Sequence, residues 1–385
     1  RRTGLKGVAV YWDCRMDDAR LCLENVIAAA EAGALVANYM QVVGLSKVNG
    51  RVAGAELLDL ESGKKVQVEA EIVVNMTGPW LDKIRALDGD LEPMLRTTRG
   101  AHILVPRISQ GDEAIYLSSA QDDRLFFVIP WGELSLIGTT DTDTERPPEE
   151  TIATEEDIDY LLGESARHLH GTALTRDCVV SSFAGLRPLV ADTRDTASNV
   201  SREHRIFESA SGLISVGGGK YTTYRAVAEE VAELITCRLG KGEGKSRTAR
   251  LPLPGGEVMV GESAISRLQT AGLSAVNIEA LAKRYGSRLG DLVSLAEQRE
   301  DLLAPVIAGS RLTRLEVEYA VQFEQARNPD DILRRRTGLA LEQGQGLEEL
   351  EPVASQMQLL LEVDDTTKNN WIKHYQEIYS CTRRS

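Results

Sequence analysis

The sequence predicts an α/β fold followed by an all-α C-terminal domain, within a chain of 385 residues. Three observations favour this class. Strand-like segments separated by short turns alternate with amphipathic helical patterns up to residue 238, a linker rich in Gly, Pro and basic residues occupies 240–257, and only helical patterns follow it. We therefore expect a domain boundary near residue 250, with one domain over residues 1–250 and a helical domain over 251–385.

The first elements alternate as an α/β domain requires. A strand is predicted over Val8–Tyr11, and Asp17 or Asp18 can cap the helix that follows, because a carboxylate there accepts from a free helical N–H. Gly33 ends this helix, whose apolar residues recur at helical spacing as Leu23, Val26, Ile27 and Ala30.

Strands dominate the middle of the first domain, over residues 35–75, 98–140, 178–190 and 205–219. The first of these regions predicts a β-meander with turns at Asn49-Gly50 and Glu61-Ser62-Gly63. A capping box of Thr154 and Asp157 begins one helix, and residues 222–238 predict a second helix with one apolar stripe.

Charge excludes one class of function. The chain carries 44 basic and 58 acidic residues, a formal net charge of −14, which argues against a general nucleic-acid binder because such a protein needs a basic face. Nine acidic residues lie within residues 141–160, and the simplest interpretation of this acidic cluster is a solvated loop and helix start. No apolar run is long enough to cross a membrane, and five cysteines without a CxxC pair favour a reducing compartment.

Two glycine-containing segments follow apolar strands and could approach a phosphate or a cofactor. The first is Thr77-Gly78 after the strand Ile72–Asn75, and the second is Gly217–Lys220 before a helix whose start holds Thr222 and Thr223. An ordinary strand exit and a tight turn capped by Thr remain the alternatives. No GxGxxG motif is present, and the second segment is not a Walker A loop because neither Ser nor Thr follows its lysine.

Two side chains could carry chemistry. His102 lies on a strand where alternation places it on the face opposite Ile103, and imidazole suits proton transfer near neutral pH. Arg187 lies within an otherwise apolar stretch and needs a carboxylate or an anionic ligand as a partner. A structural histidine and a structural ion pair are the alternatives. His168 and His170 diverge on a predicted helix, so no metal site is expected there.

The order of these motifs resembles the FAD-dependent (respiratory) glycerol-3-phosphate dehydrogenases of the glycine oxidase/D-amino-acid oxidase superfamily. The resemblance runs over nearly the whole chain and is strongest in residues 8–230. The blocks that carry it are Tyr11–Leu23, Val74–Trp80, Thr98–Arg107, Phe127–Asp143, Ala184–Val190, Ser201–His204, Gly217–Arg225 and Asp330–Leu339.

This resemblance implies a fold, a reaction and roles for single residues. The first domain would be an α+β substrate domain with the remainder of an FAD-binding doubly wound domain. The reaction would oxidise sn-glycerol 3-phosphate to dihydroxyacetone phosphate, with electrons passed to quinone. His102 would accept a proton and Arg187 would hold the substrate. Lys220, the third catalytic residue, would lie near the flavin and the substrate, where its positive charge would stabilise the negative charge of the reduced ring. FAD contacts would come from Thr77, Gly78, Gly218, Gly219, Lys220, Thr222 and Thr223.

The sequence departs from the family in one clear respect. Family members begin with a βαβ unit that bears GxGxxG, and this sequence contains no such motif. We expect that unit upstream of Arg1. The family further implies a cytoplasmic location, with peripheral contact at the inner face of the cytoplasmic membrane, and a homodimer is a further expectation. Two alternatives stay open: another flavin-dependent amino- or hydroxy-acid oxidase, or a non-catalytic fragment that cannot hold FAD alone.

Overall fold

The computed structural model describes residues 7–169, 174–190, 203–242, 244–257 and 261–382. The strands are β1 Met40–Val48, β2 Arg51–Asp59, β3 Lys65–Glu69, β4 Val74–Asn75, β5 Leu95–Pro106, β6 Ile115–Ser118, β7 Leu125–Trp131, β8 Leu134–Gly138, β9 Thr142–Asp143, β10 Ser181–Val190, β11 Arg205–Glu208 and β12 Ile214–Gly217. The helices are α1 Asp18–Glu31, α2 Leu81–Asp88, α3 Glu155–His168, α4 Tyr224–Arg238, α5 Glu262–Thr270, α6 Ala275–Tyr285, α7 Leu289–Gln298, α8 Arg314–Phe323, α9 Leu350–Leu361 and α10 Asp365–Thr382. His170, Ser201 and Arg202 lie outside the described residues.

The predicted β-meander is confirmed as an antiparallel sheet in the order β1-β2-β3. Its first turn has Asn49 and Gly50 at φ +51° and +78°, the left-handed conformations that a two-residue hairpin turn needs. Asn and Gly tolerate those angles better than other residues, which is why this pair was readable as a turn.

The large antiparallel sheet has the order β10-β5-β8-β7-β6, and β9 also pairs with β5. One face packs on α3, where Ile103 and Val105 of β5 meet Ile158 and Leu161 of the helix in one buried cluster. The predicted capping box begins α3, because Thr154 and Asp157 each accept the other's backbone N–H. Alternation along β5 therefore turns His102 to the opposite face, as predicted.

A third sheet has the order β11-β12-β4, and β12 runs parallel to β4. Helix α4 covers it through Val227 and Val231, which pack on Val216. A parallel pair followed by a covering helix is the arrangement of a doubly wound domain. This sheet is the part of the predicted fold that belongs to the α/β class.

The second part of the chain is helical, as predicted. Helices α5–α10 surround two buried apolar clusters and are interrupted by a π-helical turn at Asp331–Arg336. This part contacts α1 through buried charge: Arg20 of α1 forms ion pairs of 2.5 Å with Glu24 and 2.6 Å with Glu324. Charged groups that leave water need such partners to remain buried.

One feature of the amino-terminal region differs from expectation. The strand predicted at Val8–Tyr11 is wrong: the segment is irregular, and Val8 and Val10 are 77% and 87% exposed. Within the described part of the chain no strand pairs with it, and an isolated strand cannot satisfy its backbone groups. Helix α1 is confirmed, with Asp17 as its N-cap, but its buried residues are Arg20 and Glu24 rather than the apolar stripe.

Candidate active site

A cavity of about 1700 Å³ lies between α1, the helical part of the chain and the face of the large sheet opposite α3. The apolar stripe of α1 lines this cavity with Leu23, Val26, Ile27 and Ala30. His102 and Arg187 line it too. The structure thus places the two predicted chemical side chains on the wall of one cavity.

His102 is held on β5 between the two neighbouring strands. It pairs with Phe183 of β10 and Gly138 of β8, and its ring stacks on that of Phe183 at 5.1 Å between centroids. A Cβ on Gly138 would overlap the imidazole, so a glycine is needed for the ring to lie there. Burial, together with the positive charge of Arg187, lowers the pKa of His102 to about 4. The imidazole is therefore neutral at pH 7 and able to accept a proton.

Arg187 on β10 is fixed by three acceptors of the segment after β8. Its Nη1 donates to the carbonyl oxygen of Thr140 and to Oδ1 of Asp141, both at 3.2 Å, and its Nη2 donates to Oγ1 of Thr139 at 3.0 Å. The guanidinium lies over Gly100 of β5, where a Cβ would stand within 2.7 Å of Nη1, Nη2 and Cζ. Asp141 is therefore a carboxylate partner of Arg187, and this contact is the structural ion pair given as the alternative for that residue.

Strand register brings the two groups together. His102 pairs with Phe183, Gly100 with Gly185, and Thr98 with Arg187, so all of these residues share one face of the sheet. The side chain of Arg187 reaches from its own pair position to Gly100, two residues before His102. The guanidinium therefore lies about 7 Å along the strand from the imidazole. That spacing suits two groups that bind different parts of one small anion.

The predicted cofactor residues form a second group, at the carboxyl ends of β4 and β12. The parallel register of Ser215 with Asn75 brings Thr77-Gly78 and Gly218-Gly219 to the same edge of the sheet. All three of these glycines have positive φ, at +56°, +76° and +91°. Ligands of doubly wound domains bind at such an edge, where the backbone can approach them closely.

The segment after these glycines is a turn into α4. The hydroxyl of Thr223 donates to the carbonyl oxygen of Lys220 at 2.9 Å. Thr223 is the N-cap residue of α4 but makes no side-chain cap hydrogen bond, so the capping by Thr that was left open as the alternative does not form. Thr222 and Lys220 are exposed. Neither residue, nor any glycine of this edge, is among the described residues that line the cavity. The predicted cofactor residues therefore lie outside the cavity that His102 and Arg187 line.

Residues at the ends of β5 and β10 join the two groups. A Cβ on Gly217 would meet the side chains of Val190 at 3.3 Å and Leu95 at 3.5 Å. Val190 ends the strand that carries Arg187, and Leu95 begins the strand that carries His102. The glycine edge therefore packs directly on the strands of the candidate active site.

Several site residues were missed because their importance depends on pairing between distant strands. Gly100 leaves room for the side chain of Arg187, and Gly138 leaves room for that of His102. Asp141 pairs with Arg187, which lies 46 residues later in the chain. Buried Asn75 also escaped notice, although its side chain donates to the carbonyl oxygen of Leu81 at 3.0 Å and accepts from the Thr77 hydroxyl at 2.7 Å. The clustering of glycines around His102 and Arg187 was the only local signal.

The acidic cluster is only partly a solvated loop. Asp143, Glu149 and Glu155 are exposed, as expected. Asp157 is buried instead and pairs with Arg99 at 2.9 Å, and the Asp141 side chain is only 16% exposed. These two carboxylates thus pair with arginines of the large sheet away from bulk solvent, an arrangement that the run of charge alone does not reveal.

Comparison with known proteins agrees with the resemblance. The profile of the family described as "FAD dependent oxidoreductase" matches residues 1–234, and that of the "C-terminal domain of alpha-glycerophosphate oxidase" matches residues 246–368. Among solved structures, glycerol-3-phosphate dehydrogenase from Bacillus halodurans complexed with FAD superposes with a TM-score of 0.85 at 30% identity, over 96% of this chain and 74% of that chain. The predicted fold class is confirmed.

Curated relatives have the same name. Glycerol-3-phosphate dehydrogenase from Mycobacterium leprae is 35% identical over 348 residues, which are 89% of this chain and 59% of the relative. The mitochondrial glycerol-3-phosphate dehydrogenase of Rattus norvegicus is 35% identical over 366 residues, 90% of this chain and 50% of the relative. The chain thus spans between half and three-fifths of the length of these relatives.

Proposed function

The chain belongs to the FAD dependent oxidoreductase family, and we propose that it oxidises sn-glycerol 3-phosphate to dihydroxyacetone phosphate with FAD as its cofactor. The proposal rests on one observation: a neutral imidazole, that of His102, and a fixed guanidinium, that of Arg187, lie on the same wall of the cavity. A secondary alcohol with a phosphate offers what these groups can bind: a proton to accept and an anion to hold.

The residues at the glycine edge fit a dinucleotide. Gly78 and Gly219 have positive φ and no backbone or side chain within 3.0 Å of where a Cβ would stand, so the edge is open to a close approach. Thr77, Gly78, Gly218, Gly219, Thr222 and Thr223 would hold FAD there, with Lys220 beside the flavin. When bound, FAD would supply the acceptor for the hydride that leaves carbon 2.

The chain's own residues would handle the proton and the charge. His102 is uncharged at neutral pH and would accept the proton of the carbon 2 hydroxyl as that carbon becomes a carbonyl. Arg187 would hold the phosphate or the developing alkoxide, because its guanidinium is fixed by Thr139, Thr140 and Asp141 before substrate arrives. The apolar wall of α1 would reduce competition from water.

Further parts of the proposal concern the surroundings of the enzyme. We place the domain boundary near residue 250 and propose quinone as the electron acceptor, a homodimer, and a cytoplasmic location with peripheral contact at the inner face of the membrane. Among the described residues no helix is long and apolar enough to cross a bilayer. Quinone-dependent reoxidation, light scattering and vesicle flotation test these points separately.

The central test is flavin reduction. The purified chain, incubated with FAD and freed of excess cofactor, should show a flavin absorption band that sn-glycerol 3-phosphate bleaches without oxygen. Glycerol, glycine and lactate should leave the band unchanged. Bleaching by an amino or hydroxy acid instead would favour another flavin oxidase, and failure to retain FAD would favour the non-catalytic alternative.

Substitution of Arg187 tests the site within the same assay. Arg187→Met removes the fixed cation, and we expect loss of bleaching by at least a hundredfold in rate with the flavin band retained. Arg176→Met is a matched control, because Arg176 is an ion-paired arginine on the surface, bound to Asp159. Normal bleaching by Arg187→Met would contradict the assignment.

A further inference from the structure

We propose that Asp141 is a positioning residue, which holds the guanidinium of Arg187 in the orientation that binds the anionic substrate. This inference rests on the proposed function. Asp141 lies outside the cavity lining, whereas Arg187 forms part of it. The carboxylate would therefore act through the arginine and not by contact with the substrate.

The contacts of Arg187 show what needs to be held. Arginine has a long, flexible side chain, and a bidentate grip on an anion requires one fixed orientation of its planar fork. Backbone position alone does not supply this, because Gly100 beneath the guanidinium offers a flat surface without a side chain that could restrict rotation. Asp141 Oδ1 and the Thr140 carbonyl oxygen both accept from Nη1, while Thr139 accepts from Nη2.

Asp141 differs from the other acceptors because it also carries charge. The ion pair is 3.2 Å long, and the exposed fractions of its side chains are 26% for Arg187 and 16% for Asp141, so water screens it only partly. Asp141→Asn removes the charge while keeping the shape, and so takes this charged contact away from a partly buried cation. We expect the arginine to turn toward water or another carboxylate and to lose its fixed orientation.

The same loop supplies a matched control. Asp143 lies two residues later and also pairs with an arginine, since both its oxygens accept from Arg96 at 2.9 and 2.7 Å. This pair faces solvent, with 53% of the Asp143 side chain exposed. Asp143→Asn therefore changes the same charge in the same segment without touching Arg187.

The first experiment measures reduction of the flavin-loaded full chain by sn-glycerol 3-phosphate. In Asp141→Asn we expect the substrate concentration for half-maximal rate to rise about tenfold while the saturating rate falls less than threefold. Asp141→Glu should recover part of this loss, and Asp143→Asn should match the parent chain. Equal effects of the two Asn variants, or loss confined to the saturating rate, would overturn the proposal.

A double-mutant cycle shows whether Asp141 acts through Arg187. Because Arg187→Met already lacks the guanidinium, adding Asp141→Asn should weaken binding of sn-glycerol 3-phosphate, measured by titration calorimetry, by less than twofold. Equal weakening in both backgrounds would mean that Asp141 acts elsewhere and would overturn the proposal.

A second cycle, on thermal unfolding, does not depend on catalysis. The shifts in midpoint for residues 141 and 187 should be non-additive, whereas those for residues 143 and 187 should add. Failure of the proposed function would appear as absence of bleaching in the parent chain, with this coupling still present. Additive shifts for 141 and 187 would overturn the positioning role whatever the substrate.

Discussion

Titration of His102 makes a strong prediction about stability, because the imidazole is buried without charge. Its pKa in the folded chain is about 4, chiefly through burial and secondarily through Arg187, against 6.5 for an exposed imidazole. Between pH 4 and pH 6.5, about the two pKa values, the imidazole is protonated in the unfolded chain but not in the folded chain. The free energy of unfolding must therefore decrease as pH falls from about 6.5 to about 4.

The size of the effect follows from the interval between the two pKa values. At about 1.4 kcal/mol for each pKa unit, the full interval corresponds to roughly 3 kcal/mol, and most of it is lost by pH 4.5. Above pH 6.5 both states hold a neutral imidazole, so the contribution vanishes there. His102→Gln cannot titrate and should lack this pH dependence.

Urea-induced unfolding at pH 7.0 and pH 4.5 measures the effect as a difference. The parent chain should lose about 2–3 kcal/mol more than His102→Gln over this range, since carboxylates and the other histidines contribute equally to both. His374→Gln, at an exposed position of α10, should behave like the parent. If the parent and His102→Gln show the same pH dependence, the burial of a neutral imidazole at His102 is refuted.

Two other substitutions test the scaffold. Gly138→Ala would force the imidazole of His102 aside, so we expect flavin reduction to slow at least tenfold with the far-UV circular dichroism unchanged; an unaltered rate would show that the ring need not lie there. Arg20→Met would remove the guanidinium that forms ion pairs with the carboxylates of Glu24 and Glu324, and should lower the free energy of unfolding at pH 7 by about 3–5 kcal/mol; a loss below about 1 kcal/mol in urea titrations would contradict this ion network.

Local sequence signals predicted most of the elements, because each depends on residues that are close in the chain. Asn49-Gly50 determines its own turn angles, and Thr154 with Asp157 caps a helix through bonds that span three residues. The same reasoning failed for Val8–Tyr11, since a strand requires a partner strand as well as β propensity. Periodicity likewise predicted α1 but not which face would be buried, because that depends on the neighbours of the helix.

The site was predictable in part for the same reason. His102 and Arg187 stood out as polar groups in apolar strands, and the glycines after β4 and β12 stood out as breaks at strand ends. Their assembly depends on the pairing of β5 with β10 and of β4 with β12, over distances of many tens of residues. Asp141 belonged to an acidic run whose simplest interpretation was solvation, and only the register of the sheet shows that it faces an arginine.

Glycines explain how the two halves of the site can be near each other without competing for space. Gly100 and Gly138 let the side chains of Arg187 and His102 lie flat on the sheet. Arg187 therefore presents its charge, and His102 its imidazole, at the wall of the cavity without occupying its volume. Gly217 lets the parallel pair pack on the ends of β5 and β10 through Val190 and Leu95. A larger residue at any of these positions would separate the cofactor edge from the reacting groups or displace one of them. The spacing between FAD and substrate in the proposed reaction would therefore depend on glycines that offer no side chain to either group.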